Sequence, residues 1–142
     1  MASIHSDIRA ALETHISAAG LNLPTSIAYE NVVFTPTTGT SFMKVEYLPT
    51  LNRPAVRGIN PQLRYQGVFS VMVFTPEGNG PATADDYVNK VINRFAVTTD
   101  ISFTNAQNET IKLSIDYAER QQGLIDSPWY YVPINIGWYI YK

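Results

Sequence analysis

The stretch 65-YQGVFSVMVFTP-76 decides the fold. Apolar residues fall on both of its alternating faces, with Gly67, Phe69, Val71 and Val73 on one and Val68, Met72 and Phe74 on the other. A strand with one face in water alternates apolar with polar residues, whereas a strand apolar on both faces is covered on both. The stretch therefore predicts an inner strand, and the flanking segments must supply its neighbours and its cover.

Downstream, Tyr87, Val88, Val91, Ile92 and Phe95 recur at helical spacing, which predicts a helix over about 83–95. Thr83 is placed to cap it, and Asp85 and Asp86 suit the positive end of its dipole. Two shorter strands are expected near 97–103 and 110–118, joined by the polar turn 104-TNAQNE-109. In the last strand Tyr130, Val132, Ile134, Ile136, Trp138 and Ile140 point one way. Trp129, Tyr131, Pro133, Asn135, Gly137, Tyr139 and Tyr141 point the other. Proline cannot donate to a ladder, so Pro133 predicts an edge strand or a bulge.

Upstream, Ser41 to Leu48 alternates Met43, Val45 and Tyr47 against Lys44 and Glu46, as a half-buried strand does. The apolar, β-branched run Ile27 to Phe34 predicts another strand, with 35-TPTTGT-40 as the turn between the two. Residues 4–19 carry Ile4, Ile8, Leu12 and Ile16 at four-residue steps, widened by Ala11 and Ala19, with Ser3 to begin the helix and Gly20 to end it. The expected order is α-β-β-β-α-β-β-β. That is an α+β domain with a mostly antiparallel sheet and two helices packed on it, one domain over 1–142.

Composition limits the function. The chain has 142 residues, enough for a conventional core, and no cysteine, which removes disulfides, thiolate nucleophiles and sulfur-rich zinc sites. A net charge of −2 argues against a protein that coats nucleic acid with its whole surface, so any basic function is local. No apolar signal core or membrane-length run is present.

Candidate chemistry is sparse. His5 and His15 stand about 80° apart around one helix, so they do not make a metal pair, and His15 borders the apolar stripe as a packing residue does. The loop 75-TPEGNGPAT-83 has glycines between a strand and a helix, yet Pro81 removes a donor and no lysine is present, so it reads as a turn rather than a phosphate cradle. No cofactor, metal or catalytic set is expected.

The stretch 52-NRPAVRGINPQLRYQG-67 is the exception. Arg53, Arg57 and Arg64 lie between two predicted strands, and no acidic residue occurs between Glu46 and Glu77. The connection is long for a compact domain, and its Leu51, Val56, Ile59, Leu63 and Tyr65 are more apolar than a solvated loop requires. Either it folds back on its own domain, or it is an arm that docks on another chain, a role that suits the planar fork of arginine. On the final strand Trp129, Tyr131, Tyr139 and Tyr141 share the less apolar face, where a lone subunit would expose them.

The opening SIHSDIRAALETH, the segment FTPTTGTSFMKVEYLPT, the stretch NRPAVRGINPQLRYQGVFSVMVFTPEGNGPA and the aromatic end resemble the tail terminator, or tail completion, proteins of long-tailed bacteriophages. The resemblance spans nearly the whole chain and carries no catalytic signature. It implies a non-enzymatic assembly protein of the virion, made in the host cytoplasm, that forms a ring, commonly a hexamer. The ring would sit at the head-proximal end of the tail, end growth of the tail tube and offer a surface for head–tail joining. Implied partners are further copies of the chain, the tail tube protein, a head completion or connector protein, and DNA passing through the lumen. Arg53, Arg57, Arg64, Tyr65, Trp129, Tyr131 and Tyr139 are then the expected interface residues. The alternatives are a tail tube or connector protein and a small ligand-binding domain or enzyme.

Overall fold

A computed structural model describes residues 4–18, 23–24, 26–50, 63–78, 80–97 and 99–141, together with the backbone of 53–54. The decisive stretch lies in β4 (Leu63–Pro76). β2 (Phe42–Pro49) runs antiparallel on one side of it, from Phe42 opposite Phe74 to Pro49 opposite Gly67. β8 (Trp129–Tyr141) runs antiparallel on the other, from Arg64 opposite Tyr141 to Pro76 opposite Trp129. β4 is thus an inner strand. With β1 (Ile27–Ala28), β5 (Asp100–Thr104) and β6 (Thr110–Arg120) the sheet runs β1-β2-β4-β8-β6-β5. β1 is parallel to β2 and the other pairs are antiparallel. Two short strands add to the expected order: β3 (Arg53–Pro54) beside β4, and β7 (Leu124–Asp126) beside β8.

Both helices lie on one face. α1 (Ile4–Ser17) buries Ile8, Ala11, Leu12 and Ile16, and α2 (Ala82–Arg94) buries Ala84, Val88 and Val91. These meet Met43, Val45, Phe69, Val71, Val73, Leu113, Val132, Ile134 and Ile136 in one core, where each large side chain contributes roughly 1.5–3 kcal/mol. Among the described residues the reverse face of the sheet has no helix. Its cover within the chain is a small cluster of Phe42, Phe74 and Trp129 with Phe34, Met72 and Tyr131 against it. The two-sided cover expected for β4 is therefore a full layer on one side and a local aromatic cap on the other.

Three expectations are corrected. The strand expected over Ile27 to Phe34 stops at Ala28, because Asn31 takes a left-handed backbone (φ 56°) and the Val32 N–H donates to the Tyr29 carbonyl. Val33 is left 97% exposed, outside any ladder. Thr83 does not cap α2. Pro81 does, and its carbonyl accepts the Asp85 N–H at 2.9 Å, since a proline's fixed φ already suits a helix entry. Pro133 is on neither an edge nor a bulge: β8 lies between β4 and β6. In an antiparallel strand the N and O of one residue point to the same neighbour, and the Pro133 carbonyl accepts from Gln121, just past the end of β6. The missing N–H thus falls in the gap between β6 and β7, where no ladder bond is lost. The capping roles expected of Ser3 and Gly20, and the place of Ala19, lie outside the described residues.

The hairpin expected over 104–109 is present. Asn105 Oδ1 accepts the N–H groups of Gln107 and Glu109, both at 2.9 Å, and Asn108 supplies the positive φ.

Candidate interface site

The feet of the arginine arm are paired. Arg53 faces Arg64 and Pro54 faces Leu63, so the two described ends of the long connection lie antiparallel beside each other. Arg57 lies outside the described residues, as does the side chain of Arg53.

Arg64 is held on the helix-free face. Its register partner is Tyr141, and its guanidinium carbon stands 4.6 Å from the Tyr139 ring centre and 5.7 Å from that of Tyr141. Nη1 donates to the Tyr141 hydroxyl at 3.4 Å. Stacking of this kind keeps the fork planar and oriented. Nε is buried and has no hydrogen-bond partner. Beside it opens a cleft of about 160 Å³, lined among others by Thr50, Arg64, Gln66, Asp116 and Tyr117. Asp116 is the extra residue of a β-bulge: Ile115 faces Trp138 and Tyr117 already faces Gly137. Bulges re-aim side chains, and this one turns a carboxylate towards the cleft.

Tyr65 is separated from Arg64 by the pleat. It faces the helices, half-buried against the core, with its ring 6.0 Å from that of His5. The aromatic residues of β8 likewise form two groups rather than one surface. At one end Trp129 is buried inside the chain, edge-on to Phe42 at 5.0 Å, and Tyr131 stacks on Phe74 at 4.9 Å. At the other, Tyr139 packs edge-on to Tyr141 at 5.8 Å, and Tyr141 is exposed. Eight residues of strand put these ends roughly 27 Å apart. Exposure of Trp129, expected from its place on the less apolar face, is prevented by Phe42 and Phe74 of the neighbouring strands.

Two surface features escaped the sequence reading. One is the Arg64 cleft, whose signal is the step in β6 from Ile111, Leu113 and Ile115 to Ala118, a break in period two that marks a bulge. The other is the pair Leu124 and Ile125 on β7, 45% and 68% exposed, beside Tyr131 and Tyr130.

The titrating groups that shift are packing residues. His15 Nε2 bonds the Arg94 carbonyl at 2.8 Å and its ring lies against Phe95; burial lowers its pKa. Burial raises Glu13, with Arg9 opposing the shift and Glu30 adding to it. The Tyr47 phenol, buried and bonded to His5 Nδ1 at 2.7 Å, is pushed up to about 12. No set of His, Asp and Glu capable of holding a metal occurs among the described residues.

No curated protein matches the chain in sequence. Among solved structures, 15 chains match. One superimposes with a TM-score of 0.73 over 99% of this chain and 97% of its own, at 22% identity, which is likeness of fold. A family model described as phage tail terminator protein matches residues 7–138, close to the whole length. The chain belongs to that family, and so to the structural proteins of the bacteriophage tail.

Proposed function

We propose that the chain assembles into a closed ring, a hexamer in the first instance, that caps the tail tube at its head-proximal end, stops its polymerisation and provides the surface for head–tail joining. The reading carries no catalytic step and no cofactor. The observation behind it is the sheet's unfinished surface: its helix-free face bears a stacked arginine with an unfilled donor at one end and the exposed Leu124 at the other, and Ile125 beside it lies in water on the opposite side. A protein that worked alone would gain from covering these.

Partners follow from the same arrangement. Copies of the chain meet around the ring, the tail tube protein and a head completion or connector protein lie along its axis, and DNA passes through the lumen after assembly in the host cytoplasm. Heterologous contacts close into a ring when the rotation per subunit divides the circle. The test is a phage, or a tail assembly reaction, lacking this chain. Tails of uncontrolled length without heads, restored to fixed length by the purified protein, support the reading. Tails of normal length that join heads would overturn it.

A further inference from the structure

Every other described cationic side chain has found its acceptor. Arg9, Lys44, Lys90, Lys112 and Arg120 each reach a carboxylate within 3.6 Å, and Arg94 Nε donates to the His15 carbonyl at 3.0 Å. Among the described residues Arg64 has only the faces of two tyrosines and one hydroxyl. Its Nε is out of water without a partner, an arrangement that native structures seldom keep unless something else completes it.

The missing group is an anion, and the cleft says which kind. A nucleic-acid backbone presents its charges in series, and Asp116 in the cleft wall opposes every one after the first. A single carboxylate meets Asp116 once rather than in series, and it matches the two parallel donors of the fork. In a head-to-tail contact it must come from a different patch of the same chain. One carboxylate is placed for this. Gln66 faces Tyr139, Tyr139 faces Ser114, and Ser114 faces Asp100, so these four residues cross the sheet in one row. Ser114 donates to Asp100 Oδ1 at 3.1 Å, which fixes the side on which Asp100 lies. Arg64 is the next residue along β4 on that same side.

Asp100 stands on β5, the last strand at one margin of the sheet, and at the level of Arg64 β2 has ended, so the two-residue β3 is the strand beside β4 on the opposite side. Within one copy three strand spacings, roughly 14 Å, separate the two positions of the row. Side by side in a ring, opposite margins meet at the same level. The Asp100 carboxylate remains 45% exposed despite Lys112 at 3.3 Å, so it is free to take a second cation.

We propose that the Arg64 cleft is a carboxylate-binding site completed by Asp100 of an adjoining copy. This rests on the ring reading above, and the experiment separates the two. Native mass spectrometry over a dilution series, with and without tail tubes, is applied to the parent, Arg64→Glu, Asp100→Arg and the charge-swapped double variant. Far-UV circular dichroism checks the fold of each. The parent is expected to form closed rings. Either single change raises the concentration at which rings dissociate by roughly tenfold or more, and the double variant recovers most of the loss. Arg64→Lys and Asp100→Asn, which keep size and polarity, shift dissociation the same way and decide the matter if a charge-reversed variant misfolds.

Single variants that assemble like the parent, or a double variant no better than the singles, overturn the Arg64–Asp100 contact and leave the ring standing. A parent that forms no ring alone or on tubes overturns the ring, and this contact with it. If Arg64→Glu assembles normally but loses affinity for duplex DNA oligonucleotides, the cleft takes phosphate and the proposal fails.

Discussion

At the scale of single residues, two glycines admit strands that no other residue would. A Cβ on Gly67 would lie 2.6 Å from the Leu48 carbonyl oxygen and 2.8 Å from the Pro49 Cα, backbone atoms of the neighbouring strand that cannot move aside. Gly67→Ala should therefore cost about 1–3 kcal/mol in urea unfolding, as overpacking does. A Cβ on Gly137 would instead strike the Tyr117 ring at 2.2 Å. That obstruction is a side chain, so Tyr117→Ala combined with Gly137→Ala should be less damaging than the sum of the two changes, a coupling that a double-mutant cycle measures. His15 gives a pH prediction at the same scale. Its folded pKa lies below the ordinary 6.5 because burial disfavours the charged ring. The unfolded chain then binds the proton more readily, so the stability linked to neutral His15 is complete above pH 6.5 and is lost as pH falls through the window between 6.5 and the lower folded value. His15→Gln should flatten that slope in unfolding midpoints taken from pH 7.5 to 5.

Elements show where the sequence speaks and where it is silent. α1 was legible because one stripe faces one core, and Leu12, fully buried at its centre, tests that reading: Leu12→Ala should cost roughly 2–5 kcal/mol by thermal or chemical unfolding. β4 and β8 were legible from alternation, and Arg64, Tyr139 and Trp129 were picked out by type. What alternation cannot say is which residues of a face meet each other. Trp129 and Tyr139 share a face of β8, yet only register sets one against Phe42 and the other over Arg64. The strand expected at Ile27 to Phe34 failed because apolar content outvoted 30-EN-31, where Asn31 turns the chain and Glu30 pairs with Arg9 at 3.4 Å and accepts the Tyr47 N–H. That carboxylate stands in for a backbone carbonyl at the margin of β2, a long-range bond that no local pattern reveals. Pro133 misled for a related reason, since its tolerance depends on a gap between β6 and β7 set by the whole ladder.

For the whole molecule, the two ends of the sheet divide its work by position. The Arg64 end lies beside the ends of the arm and the sheet margins, the direction in which ring neighbours would meet. The opposite end, roughly 34 Å away along β8, carries the short strand β7, where Leu124 is exposed on the helix-free side and Ile125 on the other side, near Tyr130 and Pro81. An apolar pair so exposed suits a contact with a protein above or below the ring rather than beside it. Separate directions predict separable defects. Ile125→Glu places a charge where a partner would need to exclude water, and it disturbs no buried packing because Ile125 is 68% exposed in the free chain. It should leave the unfolding midpoint and the ring population unchanged while abolishing stable capping of tail tubes, seen as rings that stay free in negative-stain images. If the variant loses its rings instead, β7 faces a neighbouring copy, and the axial partner must be sought away from β7.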